Sequence, residues 1–320
     1  MTPQEILNNA KDKRVLVIGD LILDEYIEGS STRLSPEAPI PVVNVSGTKY
    51  VLGGAANVAA NIVSLGGKAT VVSSLGEDVE SDILTELMDE IGIGYFGALV
   101  KKPTTVKTRV SSNGHQIVRY DQEDTEEITE EDCNEVMNIL SLLVGDFDII
   151  VLSDYNKGFF TEDLCDDIFD LAAEKSVEVI SDFKPENSEY FIASDYITPN
   201  WKEATEMTNQ QGMIISKENL EEVARRLEMQ WNNPIITLGD QGIYIYRAFH
   251  RSEVHLKPDS KEVFDVSGAG DTVVAALALS SIVKADLFSR LKFCNKAAGI
   301  VVGKMGTSVV TAEEMLDNDK

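Results

Sequence analysis

The chain has 320 residues, of which 43% are hydrophobic, and its 54 acidic residues outweigh 28 lysines and arginines to give a formal net charge of −26. This length allows one large α/β domain or two small ones, and the hydrophobic content excludes the disordered and fibrous classes. Such a negative charge disfavours binding to nucleic acid or to an anionic membrane. A phosphorylated ligand must therefore be held by backbone N–H groups, a metal ion or a few placed cations.

Cysteine and histidine are scarce and widely spaced, without CxxC, HxxxH or HExxH patterns. A disulfide framework, a histidine metal site and a Ser-His-Asp triad therefore gain little support. No signal peptide precedes the first apolar strand, and no run approaches the roughly 18 apolar residues of a membrane-spanning helix, so we expect a soluble protein of the reducing cytoplasm. The residues in question are Cys133, Cys165, Cys294, His115, His250 and His255.

Apolar runs and helical patterns alternate along most of the chain. Residues 14–19 (RVLVIG) are apolar throughout, which predicts a central parallel strand that ends at Asp20. The alternation is typical of a parallel sheet with helices on both faces. Further strands are expected at 69–74, 148–153, 177–182 and 234–239, and helices at 54–65, 79–91, 161–175, 217–230, 272–283 and 285–302.

Two segments interrupt this alternation. Residues 33–51 contain three prolines and then alternate apolar with polar residues, and residues 95–121 predict short strands around an Asn113-Gly114 hairpin turn. Short strands inserted into an α/β frame favour a small antiparallel β lid over a cleft. An ordinary extension of the sheet edge is the alternative.

The strongest motif is SGAGDT at residues 267–272, directly before an apolar helix rich in small residues. The N–H groups of Gly268, Ala269 and Gly270 are unshielded by large side chains, and with the helix dipole they predict an anion hole for phosphate. A carboxylate in such a hole suits proton abstraction from an attacking hydroxyl, which predicts Asp271 as a general base. The alternative is that Asp271 only caps the helix.

Other polar residues have both a functional and a structural interpretation. Asp20 follows the first strand, and Asn57 lies one turn into the helix opened by Gly53-Gly54, so these residues suit sugar hydroxyls or, alternatively, a turn and a tight helix entry. Asn200 and Glu203 in TPNWKE form either a station for hydrated Mg²⁺ or a capping box. TLGDQG at 237–242 allows close approach to a phosphate or forms a hairpin turn. A GxxxxGK[ST] loop is absent, and the GxGxxG string at residues 92–97 follows a predicted helix rather than lying between a strand and a helix, as a dinucleotide-binding motif would.

In this order, Gly53-Gly54, TPNxxE, TLGxxG and DxxGAGD resemble the PfkB/ribokinase-type carbohydrate kinases over residues 15–311. The resemblance implies a ribokinase-like three-layer α/β sandwich with a mainly parallel central sheet. It implies a single kinase domain over residues 1–320, with a β lid from about 26–51 and 95–121 that forms a homodimer clasp. The implied reaction is phosphorylation of a sugar hydroxyl by ATP with Mg²⁺.

The resemblance also distributes roles among the residues. It makes Asp271 the base, with the anion hole at Gly268, Ala269 and Gly270, and it matches Asp265 and Ser267 to positions associated with a monovalent cation such as K⁺. It implies that the sugar binds at Asp20, Gly53, Gly54 and Asn57. It implies that the nucleotide binds at Asn200, Glu203, Thr237, Gly239, Gly242, Ser267 and Asn295, with Mg²⁺ reached through water from Glu203.

Four segments resemble one branch of this family, the bacterial D-glycero-β-D-manno-heptose-7-phosphate kinases, which also occur as the kinase half of a bifunctional kinase/adenylyltransferase. The branch implies phosphorylation of the anomeric hydroxyl of the heptose 7-phosphate to give the 1,7-bisphosphate. The chain ends near residue 320, so we expect the kinase alone. A kinase for ribose or a fructose phosphate, and a catalytically silent sensor, are the alternatives. The segments are RLSPEAPIPVV (33–43), GGAANVAANIVSLG (53–66), VLSDYNKG (151–158) and AAGIVVGKMGTS (297–308).

A phosphorylated sugar requires cations, and the lid supplies them. Lys107 and Arg109 are two residues apart and share one face of a predicted strand, and Arg119 comes from the partner strand across the hairpin turn. These cations can converge on one substrate phosphate. A solvated strand face is the alternative, and Lys157 is a weaker candidate.

Overall fold

The structure, a computed structural model, describes residues 1–247, 252–258, 265–304 and 306–317, so His250 and Met305 of the GKMG segment lie outside the described residues. The strands are β1 (Arg14–Gly19), β2 (Leu21–Ser30), β3 (Asn44–Gly54), β4 (Lys68–Gly76), β5 (Gly94–Val100), β6 (Thr105–Ser112), β7 (His115–Gln122), β8 (Ile149–Ser153), β9 (Glu178–Asp182), β10 (Tyr196–Ile197), β11 (Ile235–Thr237), β12 (Ile243–Arg247) and β13 (Ser252–Leu256).

Helices follow most strands of the core. They are α1 (Pro3–Ala10), α2 (Ala55–Ser64), α3 (Val79–Glu90), α4 (Glu130–Leu143), α5 (Glu162–Lys175), α6 (Trp201–Met207), α7 (Lys217–Glu228), α8 (Ala269–Ile282), α9 (Leu287–Val301) and α10 (Ala312–Leu316). Over the described residues, none of these helices is both long and apolar enough to cross a membrane.

A parallel sheet of six strands in the order β10-β9-β8-β1-β4-β5 forms the middle layer. Successive side chains of β1 point to opposite faces, so Val15 and Val17 pack into one core with α2, α8 and α9, whereas Leu16 and Ile18 pack into a second core with α4 and α5. Each such fully buried side chain contributes about 1.5–3 kcal/mol through removal from water. The predicted three-layer α/β class is confirmed.

The last predicted strand, 234–239, is shorter than expected. Ile235–Thr237 pairs antiparallel with β12, and β12 pairs with β13, to form a separate three-stranded sheet. Residues Gly239–Gln241 form a 3₁₀ turn between the first two strands, so the hairpin interpretation of TLGDQG is confirmed. A bridge between Asn200 and Thr237 joins this hairpin to the edge of the central sheet.

The four-stranded sheet β3-β2-β6-β7 forms the lid, and its boundaries differ from the prediction of 26–51 and 95–121. It begins at Leu21, whereas Gly94–Val100 pairs with β4 in the central sheet because Ala98 and Val100 are buried in the second core. The central pair β2–β6 is parallel, and the outer pairs are antiparallel. The hairpin turn falls at Asn113-Gly114, both with positive φ (51° and 81°), as the sequence predicts.

Gly54 connects the lid to the core in a backbone conformation that residues with a side chain rarely adopt. Its φ is +58°, and an added Cβ would overlap the backbone oxygen of Asp20. We expect Gly54→Ala to lower the free energy of unfolding by about 2–4 kcal/mol, measured by urea denaturation. Gly47→Ala in the same strand is the matched control, because nothing lies within 4 Å of an added Cβ there. Equal effects of the two substitutions would contradict this account.

Candidate active site

The carboxyl ends of β1, β8 and β9 meet at one edge of the central sheet, where the first turn of α8 also lies. Gly268 is the N-cap of α8 with φ +77°, and the first backbone bond into the helix runs from Thr272 N–H to Gly268 O at 3.0 Å. Within the described part of the chain, no backbone acceptor is bonded to the N–H groups of Gly270 or Asp271. An added Cβ on Gly270 would meet nothing within 4 Å. The geometry therefore suits an anion.

Asp271 is buried in this first turn, with 4% of its surface exposed. Its Oδ2 accepts from Asn57 Nδ2 at 2.5 Å, and its Oδ1 accepts from the Tyr155 hydroxyl at 2.5 Å. Burial raises the pKa of the Asp271 carboxyl, and the two hydrogen bonds and Lys184 oppose that rise. No side chain caps α8, so the capping interpretation of Asp271 is not supported.

Asn57 contacts the candidate base rather than standing alone at a sugar site. Asn61, one turn further along α2, donates from Nδ2 to Asn57 O at 2.9 Å. Asn61 Oδ1 in turn accepts from the Thr272 hydroxyl at 3.0 Å, so a buried polar chain links α2 to α8. Sequence reasoning missed Asn61, although two asparagines four residues apart on an otherwise apolar helix are the signal for such a chain.

Asp20 requires a correction. Its carboxylate accepts three backbone N–H groups, from Tyr155 at 2.7 Å, Lys157 at 3.1 Å and Phe159 at 3.3 Å. Burial, with the nearby Asp154 carboxylate, raises the pKa of Asp20 to about 7. Because these donors use three of about four acceptor positions of the carboxylate, the main role of Asp20 in the structure is to shape the 155–159 loop.

Asp24 is the carboxylate that sequence reasoning missed. It is 5% exposed on the inner face of the lid, and it accepts from Arg109 at 2.6 Å and from the Thr307 hydroxyl at 3.2 Å. An added Cβ on Gly53 would lie 2.8 Å from Asp24 Oδ2, so Gly53 leaves space for this carboxylate. The alternation of Asp24 with Tyr26 along β2 is the sequence signal for a polar inner face.

Three predicted lid cations share that inner face but differ in their partners. Arg109 pairs with Asp24, and Arg119 forms two bonds to Asp121 at 2.8 and 2.6 Å. Lys107 forms no ion pair with any described residue, and its Nζ lies 5.2 Å from the centre of the Tyr155 ring. Burial lowers the pKa of Lys107. Of these three predicted cations, Lys107 is therefore the one whose charge is left for a ligand.

The fourth candidate, Lys157, is already paired, with Glu123 at 2.9 Å.

In TPNWKE, where the sequence predicts nucleotide binding, the capping interpretation is confirmed. Asn200 Oδ1 accepts from Glu203 N–H at 3.0 Å, and Glu203 Oε2 accepts from Asn200 N–H at 2.9 Å. Glu203 Oε1 binds Lys184 Nζ at 2.7 Å, and the same Nζ lies 5.4 Å from the Tyr155 ring centre. Lys184 thus connects this capping box, through Tyr155, to the candidate base Asp271. Sequence reasoning did not identify Lys184.

The remaining residues predicted to bind the nucleotide make contacts between neighbouring elements. Thr237 N–H donates to Pro199 O at 3.0 Å, and Asn295 Nδ2 donates to Lys257 O at 2.7 Å. Gly242 has φ +90°, and an added Cβ would overlap the Leu256 carbonyl oxygen, whereas Gly239 has open space around it. Ser267 N–H and Gly306 N–H both donate to Asp265, at 2.9 and 3.0 Å.

A family model described as pfkB family carbohydrate kinase matches residues 12–314. The chain belongs to the pfkB family of carbohydrate kinases. The match includes β1, the lid and the first turn of α8, so the order of motifs predicted the family correctly. The chain is accordingly an ATP-dependent carbohydrate kinase.

Two relatives of this pfkB kinase share one name with each other. The bifunctional protein HldE of Sulfurimonas denitrificans is 37% identical over 307 residues, and that of Aliarcobacter butzleri is 37% identical over 316 residues. The alignments cover 94% and 96% of this chain but 63% and 64% of those proteins. The kinase thus spans less than two thirds of the length of these curated relatives. The resemblance to the heptose kinase branch is confirmed.

Solved structures confirm the fold. Phosphofructokinase-2 from Escherichia coli in complex with potassium superposes with a TM-score of 0.78 at 18% identity, covering 95% of this chain and 97% of that one. Arabidopsis thaliana ribokinase complexed with ribose and ATP gives a TM-score of 0.72 at 18% identity, covering 95% and 98%. At these identities the likeness establishes a ribokinase-like fold.

Metal binding in this pfkB kinase would depend on few protein ligands. Among the described residues, no three His, Cys, Asp or Glu side chains are grouped so as to hold a metal ion. Glu203 has both oxygens engaged, and Asp182, whose pKa burial raises to about 7, accepts from the Thr198 hydroxyl at 2.9 Å. One or two such carboxylates with water and ATP phosphates fit Mg²⁺, which retains several of its waters.

Proposed function

We propose that this kinase transfers the γ-phosphoryl group of ATP to the anomeric hydroxyl of D-glycero-D-manno-heptose 7-phosphate to give the 1,7-bisphosphate. The observation that carries the proposal is Lys107, an unpaired cation of the lid that lies 5.2 Å from the ring of Tyr155, whose hydroxyl binds Asp271. An unpaired cation on the inner face of the lid suits a substrate that already carries a phosphate. The HldE relatives and the four matching sequence segments support heptose as the sugar.

In the proposed reaction, Asp271 accepts the proton of the attacking hydroxyl as the new O–P bond forms. The bond between the γ-phosphorus and the β–γ bridging oxygen breaks, and ADP leaves with that electron pair. The N–H groups of Gly268 and Gly270 stabilise charge on the transferring phosphoryl group, whereas Ala269 N–H already donates to Val266 O at 3.3 Å. Glu203 and Asp182 would hold Mg²⁺ through water, and the bound ion would add to the neutralisation of phosphate charge.

We assign the substrate and the nucleotide to two neighbouring regions. Gly53, Gly54, Asn57 and the Asp24–Arg109 pair surround the proposed sugar site, with Lys107 at its phosphate. Nucleotide binding is proposed at Asn200, Glu203, Thr237, Gly239, Gly242, Ser267 and Asn295. K⁺ is a further candidate cofactor at Asp265 and Ser267, and comparing K⁺ with Na⁺ in the activity assay tests it.

A kinase for another phosphosugar, such as a fructose phosphate, is the second candidate, because Lys107 recognises a phosphate rather than a particular carbon chain. The hydrogen bonds from Asn57 and Tyr155 to Asp271 disfavour a catalytically silent sensor, because they hold the candidate base in place. Release of ADP with a panel of sugars and sugar phosphates tests all three. We expect turnover on heptose 7-phosphate to exceed that on every other sugar. Turnover on none of them, with ligand binding retained, would contradict the enzyme proposal.

We also propose that residues 1–320 form one kinase domain in the cytoplasm. The three cysteines are unpaired, and a reducing compartment keeps thiols in that state.

A homodimer through the outer face of the lid follows from its exposed apolar side chains, which include Val118 (47% exposed) and Tyr120 (52%). We expect Val118→Glu to convert the dimer to a monomer at micromolar concentration, measured by light scattering after gel filtration. Leu142→Glu is the control, because Leu142 is 84% exposed on α4, away from the lid. A dimer that persists in Val118→Glu would contradict this interface. The outer face also carries Ile27, Tyr50 and Val110.

A further inference from the structure

Tyr155 lies at the centre of the site, in the segment VLSDYNKG, and none of the roles above includes it. Its hydroxyl donates to Asp271 Oδ1 at 2.5 Å, and its ring lies within 5.2 Å of Lys107 Nζ and 5.4 Å of Lys184 Nζ. We propose that Tyr155 is a positioning residue, whose hydroxyl keeps the Asp271 carboxylate oriented and ionised and whose ring holds the two lysines beside the reacting groups. The proposal rests on the proposed role of Asp271 as the base.

Two buried carboxylates fix the backbone that carries Tyr155. Asp20 accepts from Tyr155 N–H at 2.7 Å, and Asp154 accepts from Asn156 N–H at 2.7 Å, while Asn156 itself has φ +54°. Asp154 also binds Asn187 Nδ2 at 3.1 Å. Burying carboxylates is costly, so their use on this loop indicates that the position of Tyr155 matters. This arrangement also gives Asp20 a role, since its carboxylate accepts from three backbone N–H groups of the loop.

The hydrogen bonds to Asp271 leave room for substrate. A carboxylate has about four acceptor positions, and Tyr155 and Asn57 occupy one on each oxygen, so a sugar hydroxyl can use another. Both donors favour the ionised form. Burial raises the pKa of the Tyr155 phenol well above its usual value, so the hydroxyl stays protonated and remains a donor. Asp271 interacts electrostatically with three charged groups, Lys184, Asp24 and Asp182.

The ring and the hydroxyl have separable roles. Attraction between a cation and an aromatic face depends on the ring, which phenylalanine retains and leucine lacks. Lys107 comes from the lid and Lys184 from the nucleotide side, where it also binds Glu203. Loss of the ring should therefore affect the binding of both ligands, whereas loss of the hydroxyl should affect the base alone.

The test compares Tyr155→Phe with Tyr155→Leu in the full chain, with ADP release measured against pH on the phosphosugar that the panel identifies. Because the hydroxyl lowers the pKa of Asp271, its removal should move the acid limb of kcat/KM to higher pH by about one unit. KM for both ligands should stay within about twofold in Tyr155→Phe and rise about threefold to tenfold in Tyr155→Leu. Tyr190→Phe is the control, since that hydroxyl contacts only exposed Glu127, at 3.3 Å, and its profile should match wild type.

Failure of this inference is distinguishable from failure of the proposed base. An unshifted acid limb in Tyr155→Phe, with Asp271→Asn inactive, overturns the role of Tyr155 and leaves the base intact. An active Asp271→Asn overturns the base itself. Should Tyr155→Phe fold poorly, 3-fluorotyrosine at position 155 keeps the side chain and makes its hydroxyl a stronger donor. The acid limb should then move to lower pH, and an unchanged limb overturns the proposal.

Discussion

Asp271→Asn is expected to lower kcat by about 10²–10⁴-fold, because the amide cannot accept the proton of the sugar hydroxyl. ATP binding, measured by calorimetry, should stay within about twofold, since the base contributes to the transition state rather than to nucleotide affinity. Release of ADP on the phosphosugar is the measurement for kcat. Turnover within tenfold of wild type would contradict the proposed mechanism.

The fold should tolerate this substitution. The amide oxygen can accept from Asn57 Nδ2, and the amide nitrogen can donate to the Tyr155 hydroxyl, which rotates to accept. Removal of a buried charge should leave Tm unchanged or higher. Asp89→Asn is the matched control, because Asp89 is exposed on α3, and it should keep full activity.

Lys107→Met is expected to raise KM for the phosphosugar by about 10–100-fold, which corresponds to loss of one hydrogen bond to a charged group. Methionine retains the apolar stem, so kcat should change by less than about threefold. The decisive comparison uses the same sugar without its phosphate, whose KM should not respond to the substitution. An equal rise in KM for both sugars would indicate a packing effect and contradict recognition of the phosphate.

Two further cations serve as references for Lys107. Arg119→Met should have the smaller effect on KM, because Asp121 already neutralises that guanidinium. Lys11→Met should have no effect on KM. Lys11 is exposed at the end of α1 and lies near the amino end of β1, whereas the candidate site lies at the carboxyl ends of the strands. An effect of Lys11→Met equal to that of Lys107→Met would show that net charge, and not position, governs binding.

The central architecture was readable from local pattern. Residues 14–19 are apolar on both faces, and only a strand covered by helices on both sides buries such a run, which is where β1 lies. The SGAGDT motif predicted an open helix start, because small residues cannot shield N–H groups. The Asn113-Gly114 turn was predictable for a similar reason, since these residues accept positive φ at low cost.

Other assignments depended on contacts between distant parts of the chain. Residues 94–100 have strand character that suits either the lid or the central sheet, and burial of Ala98 and Val100 placed them in the central sheet. Asp20 and Asp24 are both acidic residues near the end of β1. Backbone donors more than 130 residues away engage Asp20, whereas Arg109 engages Asp24.

Length, composition and motif order were thus sufficient for the fold class and the family, and they singled out Asp271 as the proposed base. They also predicted how so acidic a chain would bind phosphates, through a helix start and a few cations. The partners of Asp271 were not readable, because Tyr155 lies 116 residues away and Asn57 lies 214 residues away. Local propensity and hydrophobic periodicity depend on neighbouring residues, so they can be recognised in the sequence. The partners of a buried carboxylate depend instead on which loops the folded sheet brings together at the carboxyl ends of its strands.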